Sequence, residues 1–151
     1  MTTPFAAVTD AVRTALLVAP AVAGGRVYRG KAIPMAIDKG SAVYVNARRA
    51  PGKRLDLAGM DHEWEFDLTV GAYAKATGTQ DAEDAVDPVL AEVWSRMHAL
   101  TAAAIPGARQ VTLQPLIEWD HEMADQNIGG ALLALRVRLY TTGASLATAT
   151  T

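Results

Sequence analysis

The sequence predicts an α+β fold, a mostly antiparallel sheet of four to five strands with two main helices packed on one face, and three observations carry that reading. Half of the 151 residues are hydrophobic, enough to bury one core in a chain of single-domain length. Apolar residues recur at intervals of three and four in two stretches and alternate strictly in others, the signatures of amphipathic helices and half-buried strands. Links of hairpin length flank the second helix, which favours antiparallel neighbours with both helices on the same side.

The first helix starts at Thr3-Pro4, a hydroxyl able to cap free N–H groups followed by a residue whose φ suits the first helical position. Phe5, Val8, Val12, Ala15, Leu16 and Ala19 form its apolar stripe, and Pro20 with Gly24-Gly25 ends it. A short strand is predicted at 26–29. Residues 30–40, which include Pro34, read as a loop that carries an extended piece at most. The β-branched and aromatic run at 41–49 is a second strand with Val43, Val45 and Ala47 on one side, broken by Pro51-Gly52.

The clearest strand spans 62–75. Trp64, Phe66, Leu68, Val70, Ala72 and Ala74 alternate with Glu65, Asp67, Thr69, Gly71, Tyr73 and Lys75, so one face is core and the other wet. Thr79 or Gln80 opens the second helix, whose first turn holds Asp81, Glu83 and Asp84, acids favoured at a helix N-terminus. Ala82, Ala85, Val86, Val89, Leu90, Val93, Trp94 and Met97 make its apolar face, and Pro88 is expected to kink or split it near Asp87. Strands at 109–120 and 131–142 complete the order. Residues 1–143 thus form one domain, and 144–151 are expected to be a mobile tail.

Composition excludes several function classes. Fourteen basic against sixteen acidic side chains leave a net charge of -2, too little to concentrate the protein on nucleic acid or an anionic membrane. The absence of cysteine removes thiolate catalysis, disulfides and cysteine-ligated metals. The longest apolar stretch, 15–23, is far below the roughly 20 residues needed to cross a bilayer, and the N-terminus lacks the pattern of a secretory signal.

The most suggestive cluster is a doubled tripeptide, Asp61-His62-Glu63 before Trp64 and Asp120-His121-Glu122 after Trp119. Two histidines with four carboxylates are the raw material of a metal or acid/base site. Adjacent strand residues point to opposite faces, however, and the spacing is not that of a helix-borne zinc motif, so a surface role is preferred. His98 reads as a helix-end surface residue, and Ser41, Ser95 and Ser145 lack a nucleophile elbow. Gly24-Gly25 and Gly129-Gly130 lack the neighbours of a phosphate loop and read as turns. No catalytic residue, metal or cofactor is therefore predicted.

Arg48, Arg49, Lys53 and Arg54 form a locally one-signed segment, read as a hairpin-like loop able to meet phosphate or an acidic partner surface. On the outward strand faces, Glu65 and Asp67 carry charge opposite to Arg136 and Arg138. These are cross-strand ion pairs if the two strands are antiparallel neighbours and a docking face if they are not.

From end to end the chain resembles the tail-terminator family of siphophages, whose members are also called tail-completion or minor tail proteins. The resemblance rests on the first helix ending in Pro20-Ala-Val-Ala-Gly-Gly25, the strands Arg26-Val-Tyr-Arg29 and Ser41-Ala-Val-Tyr-Val-Asn46, and Trp64-Glu-Phe-Asp-Leu-Thr-Val70 leading to Ala72-Tyr73. It continues through the acid-started helix from Asp81 to Leu133-Ala-Leu-Arg-Val-Arg-Leu-Tyr140. It implies a structural virion protein, made in the host cytoplasm and placed at the neck-proximal end of the tail. Such a protein assembles with itself, usually as a hexameric ring that caps the tail tube protein, ends its polymerisation and offers the surface for the head-tail connector or neck protein. Phage DNA passes through the lumen without sequence-specific binding, no membrane is involved, and no catalytic residues come with the resemblance. On this reading Arg48, Arg49, Lys53 and Arg54 are candidate assembly contacts. A connector or neck protein, another minor tail protein, a small ligand-binding α+β domain and a monomeric adaptor that binds peptides at a sheet edge are the alternatives.

Overall fold

Thr3 and Pro4 do open the first helix of the computed structural model, which describes residues 2–30, 40–143 and 146. The Thr3 hydroxyl accepts a hydrogen bond from the Ala6 N–H at 3.2 Å, and α1 runs over Pro4–Leu17. It ends before Pro20, and a short 3-10 turn at Val22–Gly25, with Gly24 and Gly25 at positive φ, leads into β1, Val27–Arg29. The loop expected between Gly30 and Gly40 falls, for 31–39, outside the described residues. Among residues 144–151, where a mobile tail is expected, only Leu146 is described.

The sheet continues as β2 (Ser41–Arg49), β3 (Gly52–Arg54) and β4 (His62–Lys75), then, after α2 (Ala82–Ala99), β5 (Ala108–Asp120) and β6 (Ile128–Thr141). All six strands belong to one sheet in the order β1-β2-β4-β6-β5, with β3 paired to β4 on the β2 side. Every pairing is antiparallel except β1 with β2. The sheet therefore has one strand more than the predicted maximum. The extra strand is β3, three exposed residues too short to show alternation.

The helices share one face of the sheet. Val8, Val12 and Leu16 of α1 and Val86, Leu90, Val93 and Met97 of α2 meet Val43, Val45, Phe66, Leu68, Val70, Leu133, Leu135, Val137 and Leu139 in one core. Phe5 packs edge-on to Trp64 and against Phe66, which sets the start of α1 over the start of β4. Ala47, expected beside Val43 and Val45, is exposed, at the position where the bulge in β2 begins. Arg96 of α2 joins the two helices: its guanidinium donates to the carbonyls of Ala15, Val18 and Pro20, which the end of α1 leaves without helical partners.

Three expectations for α2 and β6 are corrected. Asp81, not Thr79 or Gln80, stands at the N-cap of α2. The helix runs unbroken through Pro88, because Pro88 and Asp84 are both exposed and water can take the carbonyl that the missing N–H leaves free. Gly129-Gly130 is no turn but the beginning of β6. A Cβ at Gly129 would lie 1.9 Å from the Ala82 carbonyl oxygen, and one at Gly130 would meet the Tyr73 ring at 2.5 Å. These glycines let the first turn of α2 and the Tyr73 ring lie directly on the strand.

The opposite face is not wholly wet either. Ala42, Tyr44, Tyr73, Met123 and Ile128 form a second buried cluster, with Tyr28 and Leu132 beside it. Tyr73, on the predicted wet side, is 1% exposed, and its O–H donates to the Asp120 carboxylate at 2.8 Å. Burial first, then that carboxylate, pushes the Tyr73 phenol far above its usual range. No helix among the described residues is long and apolar enough to cross a membrane.

Candidate functional site

The two Asp-His-Glu tripeptides lie at opposite ends of the sheet. His62 is opposite Thr141 at one end of the β4–β6 ladder, while Asp120 is opposite Gly130, which in turn faces Tyr73. Tyr73 is eleven residue steps along the strand from His62, roughly 35 Å of extended chain. Four of the six side chains have a local partner. The His62 ring stacks on Trp64 and Glu63 pairs with Arg138 at 3.3 Å. Asp120 accepts from Tyr73 and from the Glu122 N–H, and exposed His121 lies 3.7 Å from Glu83. Among the described residues no three His, Asp or Glu side chains are gathered in a way that could hold a metal ion.

The open-face charges resolve as cross-strand pairs, because β4 and β6 are antiparallel neighbours with Glu65 opposite Arg138 and Asp67 opposite Arg136. Arg136 bonds Asp67 at 2.8 Å and reaches Glu65 at 3.6 Å. Asp67 is 7% exposed and has a second arginine, Arg49, at 3.1 Å. The register explains that approach: between Ala47 and Arg49 one extra residue bulges out of β2, so Arg49 rather than Arg48 falls opposite Asp67. One of the four candidate assembly cations is thus occupied in holding the fold.

The other three do not form a loop tip. Arg48 is the bulged, exposed residue at the end of β2. Lys53 and Arg54 stand on β3, opposite Glu63 and His62, so they point to different faces of the sheet. The tip lies further on, at 55–61, between β3 and β4. Sequence reading missed it, although Leu55, Leu57 and Met60 were visible as apolar residues in a stretch without strand or helix period.

Asp67 gives a pH-dependent prediction. The Arg136 hydrogen bond above all, then the bond from Arg49, holds its carboxyl below the ordinary range against the raising effect of burial. A carboxyl lowered by folding adds stability above its unfolded pKa, about 3.9, and that stability is lost as pH falls through the folded value. Asp67→Asn should therefore be less stable than the wild type by about 2 kcal/mol at pH 7, with the gap closing below about pH 4. Denaturant melts of both proteins from pH 7 down to pH 2.5 check this, and a gap that does not change with pH would refute it.

Among solved structures, a chain of the virion of a native gene transfer agent (GTA) particle is similar over 89% of this chain and 95% of its own, with a TM-score of 0.60 and 20% identity. At that identity the likeness shows a common fold. A chain from an extracellular contractile injection system, the PVC sheath/tube terminator in its extended state, aligns over 95% of this chain and 59% of its own at a TM-score of 0.40 and 14% identity, a level at which no common fold is established. No protein-family model matches the sequence. No curated protein matches it either.

Proposed function

We propose that this chain is a structural subunit of a phage-type tail, a terminator that caps the tail tube as a ring of about six copies, ends its growth and offers the surface to which the head-tail connector or neck joins. The observation that carries the reading is the near end-to-end likeness of fold to a chain of an assembled virion particle, met independently by the resemblance in element order and strand texture. A virion-tail location, contact with the tail tube protein and passage of DNA through the lumen follow from the same reading. Catalysis has no part in it: the two Asp-His-Glu tripeptides, the residues most suggestive of chemistry, lie at opposite ends of the sheet, and Asp120 is engaged with Tyr73.

Mixing the purified chain with tail tube protein and imaging the product by negative-stain electron microscopy tests the proposal. Capped tubes of limited length, with a ring at one end, are expected; tubes that keep growing at the same rate would overturn it. A ring at a head-side neck instead of the tube end would favour the connector reading. The double variant Lys53→Glu/Arg54→Glu sharpens the test, because both side chains are exposed on β3. It should keep the wild-type Tm while losing capping, and undiminished capping would remove these cations from the assembly surface. Arg49 is unsuitable for the same purpose, since its replacement also disturbs Asp67.

A further inference from the structure

We propose that the tip of the β3–β4 hairpin of one copy seats in the apolar groove between α2 and β5 of the next copy, a contact that rests on the ring reading above and names the surfaces that make it. The tip presents three large apolar side chains to solvent: Leu57 wholly, Leu55 at 48% and Met60 at 44% exposure. It is built rather than slack. The Leu55 N–H donates to the Asp61 carbonyl at 2.8 Å, the Asp56 carboxylate accepts from the N–H groups of Met60 and Asp61 at 2.9 and 3.2 Å, and Gly59 turns the chain at a φ of +73°. A preformed apolar knob loses little conformational freedom on docking.

The groove is apolar, as the tip is, with an acidic residue at its edge. Pro88, Leu90, Ala91 and Trp94 of α2 face Ile117 of β5 across it, and Asp87 stands on its rim. Trp119, two residues along the same side of β5, is 46% exposed and extends the apolar wall. Asp84 lies one turn before Asp87, so the helix wall is acidic; of the two stem cations, which β3 sends to opposite faces of the sheet, Arg54 lies against the tip beside Gly59, while the Asp56 carboxylate is turned onto the tip's own N–H groups. Apolar centre and opposite charges at the rim are the arrangement that both anchors and orients a contact.

Position makes the occupant a second copy. β3 lies on the β2 side of β4, whereas β5 is the edge strand beyond β6, so knob and groove stand on opposite flanks of one sheet. Two different patches on opposite flanks make a heterologous contact, which repeats head to tail and closes into a ring when the rotation between copies allows.

The chain has no cysteine, so introduced thiols report unambiguously. Leu57→Cys and Ala91→Cys in one chain, treated with a short bismaleimide at high protein concentration, should give a ladder of dimers, trimers and larger species. Either single variant should give dimers at most. Asp87→Lys in the double-cysteine chain should weaken the ladder about tenfold, and adding Arg54→Glu should restore it. A ladder no stronger than that of the single variants, or one indifferent to both charge changes, would overturn the contact. Negative-stain images of the same samples separate the two readings: rings without cross-links remove this contact and keep the ring, while cross-linked open chains keep the contact and remove the ring.

Discussion

Gly129→Val should lower the stability of the protein by about 3 kcal/mol or more. The reason is backbone, not side chain. A Cβ at this position would sit 1.9 Å from the Ala82 carbonyl oxygen, at the first residue of α2, so either the helix start must lift from β6 or the strand must bend. Because Val86 and Leu90 follow within two turns and are buried in the core, lifting the helix start also loosens apolar packing. Gly52→Ala is the informative comparison: its Cβ would meet the Trp64 ring at 2.4 Å, a side chain rather than backbone, so the loss should be smaller even though Phe5, His62 and Thr141 hold that ring. Urea denaturation of the variants checks both, and a Gly129→Val protein as stable as the wild type would show that α2 does not rest on the strand.

Leu68→Ala should cost about 3 kcal/mol. Leu68 is fully buried at the middle of β4, opposite Ala47 of β2 and Leu135 of β6 and under the helical layer, so its removal leaves a void that central strands cannot close. Leu57→Ala removes the same atoms from a side chain that is wholly exposed, and its melting curve should overlay that of the wild type. The pair distinguishes apolar residues that hold the fold from those left for assembly. Equal losses at the two positions would place Leu57 inside the folding core and remove the proposed knob.

The proposed role sits well with this division. Helices cover one sheet face, paired charges lie on the other, and apolar groups are displayed at opposite flanks. The doubled Asp-His-Glu illustrates how a suggestive string dissolves in three dimensions. Its members lie at the two ends of a long ladder, and Asp120 in particular is drawn to the buried Tyr73.

Much of the architecture was legible from local pattern. Thr3-Pro4 marked the start of α1, and the alternation from Trp64 to Ala74 named the buried side of β4 residue by residue. The spacing of Val86, Leu90, Val93 and Met97 did the same for α2. Misreadings arose where the deciding partner is distant. Gly129-Gly130 looks like a turn until Ala82 and Tyr73 are placed against it. Tyr73 looks solvated until Asp120 and Met123 close over it. Arg48, Arg49, Lys53 and Arg54 look like one cationic loop until a bulge and a three-residue strand send them in different directions.

What the sequence determines by itself is therefore the identity of its longer elements and the main apolar face of the helices and of the central strand, because periods of two and 3.6 are properties of a single strand or helix and need no partner. The tertiary structure decides the rest: that β6, last in the chain, lies between β4 and β5; that Asp67 gathers arginines 18 and 69 residues away; and that an apolar tip and an apolar groove emerge on opposite flanks. Strand order and register depend on contacts between segments far apart in the chain, and those contacts form only when the whole core packs at once.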